Sequence, residues 1–415
     1  MEQFLLGNGL RVVLFEMPYL RSVSIGVWVK AGSILETPQE NGLSHFMEHM
    51  AFKGTTHRSA RQIAEEMDAV GGQLNAATSK LCTNYYAKVI DDDLPLAADI
   101  LADIVIHPLL DEKEFIKERS VILEEISMVA DSPEDVVYDV IASAMFGDQS
   151  LGQTILGSAE QITSYSVEQL ATFRKKHYSP QNTVVALAGN VSRARAEQLL
   201  NEKFGAWEGP AGMEFPKETP NEPPRIMTAD KDTEQVHLCL GFKGNSLGSD
   251  KVYATAVFNS ILGGGMSSRL FQRVREDLGM AYSVYSGPST YPYCGDFTIY
   301  AATSPRHTKT VLEQINIEIS KLLESGVTEK EFTQAKAQLR SGYVLGLESA
   351  YNRMNSMGNN LLLLGRTIPT EETLDGINAV KLDDVMETAA DILKAPRSVA
   401  FVGRKAEKYE QYARE

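Results

Sequence analysis

The chain predicts an α+β fold built from two similar halves, and three observations carry that expectation. The stretch GAWEGPAGMEFPKETPNEPP, from Gly205 to Pro224, replaces any strand or helix period with proline, glycine and charge close to the midpoint of 415 residues. The order of events is the same on either side of it. Strand-like runs come first (LRVVLFEM and SVSIGVWV before it, HLCLGF after it), then helical segments and further strands. DEKEFIKERSVI, from Asp111 to Ile122, recurs as TEKEFTQAKAQL, from Thr328 to Leu339, a shift of 217 residues. Asp111 and Thr328 are helix N-caps in this pattern, and EKEF after a cap is a common helix start. A shift of half the chain length, across the linker, favours duplication. The domains expected are 1–209, a linker 210–224, and a homologous domain 225–415.

Length and composition agree with this division. At 415 residues the chain exceeds one ordinary core, and 43% hydrophobic with 23% charged residues is usual for a globular protein. A formal charge of -15 argues against nucleic acid as a main partner and is compatible with basic peptides. Three cysteines without CxxC spacing indicate neither a disulfide scaffold nor a zinc knuckle, and fit a reducing compartment. The start, MEQFLLGNGLRVVLFEMP, has no basic flank followed by a long apolar stretch, and no apolar run approaches the ~18 residues of a membrane span. A cytoplasmic protein with no membrane partner is expected.

The motif with chemistry is HFMEH within NGLSHFMEHMAFKGT. On a helix His45 and His49, four residues apart, project from one face about one turn apart, as two ligands of a tetrahedral zinc require. Glu48 lies beside His49 and one turn from His45, so it can reach water at a metal without being a ligand. This is HxxEH, the reverse of HExxH and a zinc-protease signature. A random helix can carry the same three residues, so a third ligand is the test, usually a carboxylate. The acidic helix IKERSVILEEISMV offers Glu118 and Glu125, seven residues apart on one face, and Glu124 about 100° away. Periodicity does not choose among them. The duplication shift carries His45 to Leu262, in ILGGGMSSRL, so the second half lacks the histidines. That glycine run lacks GxxxxGK[ST], and nucleotide binding is not expected.

Several separated motifs, in order along nearly the whole chain, resemble the pitrilysin/insulinase metallopeptidases, particularly the small bacterial members similar to processing peptidases. These are GLSHFMEHMAFKGT, GGQLNAATSKLCTNYYA, ERSVILEEI, KKHYSPQNTVVALAGNV and LGGGMSSRLFQRVREDLGMAYSVYSG. The resemblance implies that His45 and His49 are zinc ligands, that Glu48 is the general base, and that Glu125, at the family's spacing beyond His49, is the third ligand. Glu118 then matches a supporting carboxylate. One Zn2+ per chain is implied, polarising the scissile carbonyl and activating water, with Glu48 returning its proton to the leaving amine. GGQLNAATSK reads as a strand after a glycine turn; the resemblance makes it a substrate-pairing edge, with Asn75 and Ala76 at the contact. Lys80 departs from the acidic residue many relatives have there.

In the second half Arg275 and Tyr282 match a pair that relatives use to grip substrate and stabilise the oxyanion. By spacing alone, REDLGMAY is a helix end leaving through Gly279 into a strand. The resemblance further implies two homologous α/β-sandwich domains forming a bowl-shaped half of a clamshell. Closing the chamber around peptide substrates then takes a second chain, in a homodimer or, alternatively, a heterodimer with an inactive relative. A catalytically silent peptide-binding or scaffold subunit is the competing reading, and the presence of His45, Glu48, His49 and Glu125 separates the two. The remaining histidines, His57, His107, His177, His237 and His307, have no ligand spacing and are expected in structural or surface roles. Phe46, Met47 and Cys82 are expected in the core.

Overall fold

The computed structural model describes residues 1–414. Two compact units form, each from three stretches of chain. Met1–Ile126, Thr154–Pro216 and Val344–Pro369 make the first; Ser127–Gln153, Lys217–Tyr343 and Thr370–Glu415 make the second.

The first unit has a six-stranded sheet: β1 (Glu2–Leu5), β2 (Arg11–Glu16), β3 (Ser22–Val29), β4 (Gln73–Thr78), β5 (Thr83–Ile90) and β6 (Thr183–Gly189), in spatial order β1-β2-β6-β3-β5-β4. Only the β2–β6 pair is parallel. The second has β7 (Ile226–Asp230), β8 (Val236–Gly244), β9 (Ala281–Thr290), β10 (Gly295–Thr303) and β11 (Ser398–Gly403), in order β7-β11-β8-β10-β9, with only β7–β11 parallel. With β1 set aside, the two sheets have the same order and the same strand directions. The duplication is therefore present as topology, and the α+β class is as expected. The repeated EKEF segments open equivalent helices, Glu112–Ala130 and Glu329–Gly346. Asp111 accepts from the amides of Lys113 and Glu114, and Thr328 accepts from Glu331 N–H, so both cap as their spacing predicts.

Both faces of each sheet are covered, which explains why the central strands read as nearly continuous apolar runs. On β3, Val23, Ile25, Val27 and Val29 enter one core and Trp28 the opposite one. β6 divides in the same way: Val185 and Leu187 on one face, Val184, Ala186 and Ala188 on the other. The second face is closed by the Ala350–Leu364 helix, which buries Met354, Met357, Leu361 and Leu362 against Trp28 and Val184. Each such side chain contributes about 1.5–3 kcal/mol. In the second unit the Pro133–Phe146 helix lies against β8 and β11, and Gly241 of β8 leaves room for Ile141 and Met145. Each half of the chain thus supplies one helix to the unit built mostly from the other half. No helix among the described residues is long and apolar enough to cross a membrane.

Candidate metal centre

The HFMEH segment lies on the Leu43–Ala51 helix. Its start is held from outside. Gly42 adopts φ 96°, where a Cβ would also meet the Leu156 carbonyl oxygen at 2.6 Å, so only glycine fits this entry. Glycine offers no side-chain cap, and the buried Glu36 carboxylate replaces one by accepting from Gly42 N–H (2.8 Å), Ser44 N–H (2.6 Å) and the Asn41 amide (3.2 Å). Burial pushes the Glu36 carboxyl up, and these hydrogen bonds pull it back.

Phe46 and Met47 are fully buried, as expected, and Phe46 stacks on Phe115 at 4.4 Å between centroids. That stack sets the register of the Glu112–Ala130 helix. Phe115, Glu118, Ile122 and Glu125 follow at spacings of three, four and three residues on one face, so both carboxylates come over the histidines. Glu125 Oε2 is 3.6 Å from His45 Nε2 and 3.5 Å from His49 Nε2. Glu118, 5% exposed, accepts from His49 Nδ1 (3.1 Å) and pairs with Lys53 Nζ (2.7 Å). Glu124 is exposed.

Among the described residues, His45, His49 and Glu125 offer ligand atoms that all lie within 4.8 Å of one another. The donor set fits zinc. Bonds of about 2.0–2.2 Å to a tetrahedral ion separate donors by roughly 3.4 Å, close to the observed spacing. Glu118 on Nδ1 fixes the His49 tautomer that leaves Nε2 a lone pair. Burial, and then His49, hold His45 down to about 4, so its ring is neutral at pH 7.

Glu48 points to β4. Its Oε2 accepts from the Thr78 hydroxyl at 2.5 Å. Burial pushes Glu48 above the ordinary carboxylate value; the Thr78 hydrogen bond and His49 oppose this, and Glu125 adds to it. A divalent cation nearby acts against that rise. β4 is an outer strand of its sheet, with its other edge paired to β5. Asn75 is exposed and Ala76 half-buried on it, and the Ala76 N–H is met by Asn75 Oδ1 at 2.8 Å. The strand follows Gly71–Gly72 as the sequence predicts. Three contributors escaped the sequence reading: Thr78, Lys53 and Glu36. Their only signal was a polar residue type within, just before or just after the predicted helix and strand.

Arg275 and Tyr282 lie in the second unit. Arg275 is in a π-helical turn, Phe271–Asp277, which ends through Gly279 (φ 59°) into β9. Its guanidinium lies 4.5 Å from the Tyr282 ring centre and 4.6 Å from that of Phe271. Tyr282 is 74% exposed, and the pair lines an open pocket of about 450 Å³ with Gly263–Gly265. The helix occupying the place of the histidine helix is Val252–Leu262; it contains no histidine, aspartate or glutamate, and Leu262 is its last residue.

Two family models match the chain: "Insulinase (Peptidase family M16)" over residues 11–159 and "Peptidase M16 inactive domain" over residues 164–339. The chain is 43% identical to "Uncharacterized zinc protease YmxG" of Bacillus subtilis, over 95% of this chain and 96% of that one. It is 40% identical to "Uncharacterized zinc protease SCO5738" of Streptomyces coelicolor, over 96% and 88%. Among solved structures, a protease from Helicobacter pylori superposes with a TM-score of 0.91 at 22% identity, over 97% and 99% of the two chains. A peptidase M16 inactive domain from Pseudomonas fluorescens gives 0.89 at 22%, over 97% of each. These two establish the fold alone. With full-length relatives at this identity and both halves matched, the chain belongs to the insulinase family, peptidase family M16.

Proposed function

We propose that this protein is a zinc-dependent endopeptidase or oligopeptidase that hydrolyses extended peptides. The observation that carries the reading is the convergence of His45, His49 and Glu125, with Glu118 behind His49 and Glu48 beside it. The relatives named zinc proteases support it. His45, His49 and Glu125 would hold one zinc per chain, which would supply Lewis-acid polarisation of the scissile carbonyl and of a water near neutral pH. Glu118 orients His49. Glu48, raised by burial and held by Thr78, takes the proton from water and returns it to the leaving amine. The open edge of β4 pairs with the peptide backbone at Asn75 and Ala76, which gives affinity with little sequence preference. Arg275 and Tyr282 donate to the developing oxyanion.

The chain carries both the histidine motif and the arginine–tyrosine pair, which supports a homodimer in which His45 of one subunit works with Arg275 of the other; a heterodimer with an inactive relative is the alternative. A silent peptide-binding subunit is the second reading, suggested by the inactive-domain match. That match covers residues 164–339, whereas the histidines lie within residues 11–159, so it describes the half without the motif. The cytoplasm remains the proposed location, supported by three unpaired, buried cysteines.

The test is cleavage of a quenched fluorescent peptide library by the purified protein, a chelated sample and Glu48→Gln, with zinc measured on each. Activity lost on chelation and in Glu48→Gln, with zinc kept in the variant, is expected. Peptide binding without cleavage by the zinc-loaded wild type would favour the silent subunit.

A further inference from the structure

Two histidines outside that reading meet in the first unit. His57 follows the Leu43–Ala51 helix and His107 ends the Leu94–Ile106 helix, yet their ring centres are 5.2 Å apart with planes at 85°. The backbone holds both. Thr56 N–H donates to the His107 carbonyl (3.0 Å), Leu109 N–H to the Gly54 carbonyl (2.9 Å), and Thr55 bridges Pro108. His57 Nδ1–H donates to Asp103 Oδ1 at 2.7 Å. Asp103 is 4% exposed, and its other oxygen accepts from the Thr55 hydroxyl (2.6 Å) and Arg58 Nη1 (3.0 Å). A locked carboxylate therefore fixes the tautomer and plane of a ring that is itself 62% exposed and has Nε2 free to accept.

The pocket they line, about 450 Å³, contains four carboxylates against two cationic side chains, Arg58 and Lys203. Both cations are committed: Arg58 to Glu66, Asp99 and Asp103, and Lys203 to Asp99 and Glu202. An anion would find no free donor among them, while a cation meets net negative charge. Burial, and then His57, hold His107 below the usual histidine value, which keeps it a neutral donor.

The geometry points to a second divalent-cation site, in which His57 and His107 chelate one ion of the zinc class and Asp103 orients His57. Carboxylate–histidine–metal relays of this form are the usual support of an imidazole ligand. Two imidazoles bound tetrahedrally at about 2.0–2.1 Å place their ring centres roughly 5 Å apart, as here. Two protein nitrogens, with water completing the sphere, make this site weaker than the three-donor centre.

The full-length protein, stripped of metal and titrated with zinc chloride in a calorimeter, tests this. Two events are expected, with the weaker lost in both His57→Gln and His107→Gln and the tighter unchanged. His107→Gln removes an exposed ring and should leave the metal-free melting temperature unchanged, while in His57→Gln, which loses the imidazole bond to Asp103, a cooperative melt shows that the fold is kept. His45→Ala/His49→Ala should lose the tighter event and keep the weaker, which separates this inference from the peptidase reading. A weaker event that survives either glutamine substitution, or zinc binding in the wild type that is wholly lost with His45 and His49, would overturn it.

Discussion

Thr78 and Glu48 are joined by a 2.5 Å hydrogen bond from hydroxyl to carboxylate. Thr78 is the last residue of β4, and Glu48 stands between the two histidines on their helix. One bond thus couples the strand proposed to pair with peptide to the group proposed to move its proton.

Thr78→Val keeps the side-chain shape and removes the donor. A hydrogen bond to a charged group is worth about 1.5–3 kcal/mol, so kcat should fall at least roughly tenfold. Zinc content should not change. An unaltered kcat would mean that the helix backbone alone positions Glu48.

Glu118→Ala leaves His49 Nδ1 without its acceptor and Lys53 without its partner. Zinc affinity should drop about 10–100-fold in competition with a chromophoric chelator. Affinity equal to wild type would assign Glu118 a purely structural part.

Glu36→Ala strips the Gly42 and Ser44 amides of their acceptor at the start of the histidine helix. Losing such a cap costs roughly 2 kcal/mol, read as a lower urea midpoint at constant slope. Glu36→Gln, which keeps an acceptor oxygen, should lose less.

His177 is fully buried against Phe173, with no hydrogen-bond partner at either ring nitrogen, and burial holds it at about 4 against an ordinary 6.5. A depressed folded value means that its contribution is present above pH 6.5 and lost as pH falls through 4. His177→Phe should remove that part of the acid slope, on the order of 3 kcal/mol across the window. Parallel stability curves for the two proteins between pH 7 and 4 would refute this.

Gly358→Ala tests the docking of the Ala350–Leu364 helix. A Cβ there would lie 2.5 Å from the Trp28 ring, which is fully enclosed. A loss of about 1–3 kcal/mol is expected from overpacking, measured by thermal melting of the metal-free protein.

The histidine motif was legible because a four-residue spacing on a helix is a local matter: His45, Glu48 and His49 needed only the helix that their neighbours form. β4 was legible as a strand by its glycine turn, and its outer position came from the resemblance. The choice among Glu118, Glu124 and Glu125 was not open to periodicity. Glu118 and Glu125 share a face, and which of them meets the paired Nε2 atoms of His45 and His49 depends on how Phe115 seats on Phe46.

The order of residues alone was enough for the duplicated α+β halves, the capped EKEF helices and a helix with His45 and His49 on one face, since each rests on period, cap or spacing within a few turns of chain. Tertiary structure was needed to send Pro133–Phe146 and Ala350–Leu364 each to the unit built mainly from the other half, to bring Glu36 to a helix start, and to set His57 beside His107. Those outcomes depend on which apolar faces bury together across long stretches of chain, a non-local competition in which a helix carries the same local pattern whichever sheet it covers.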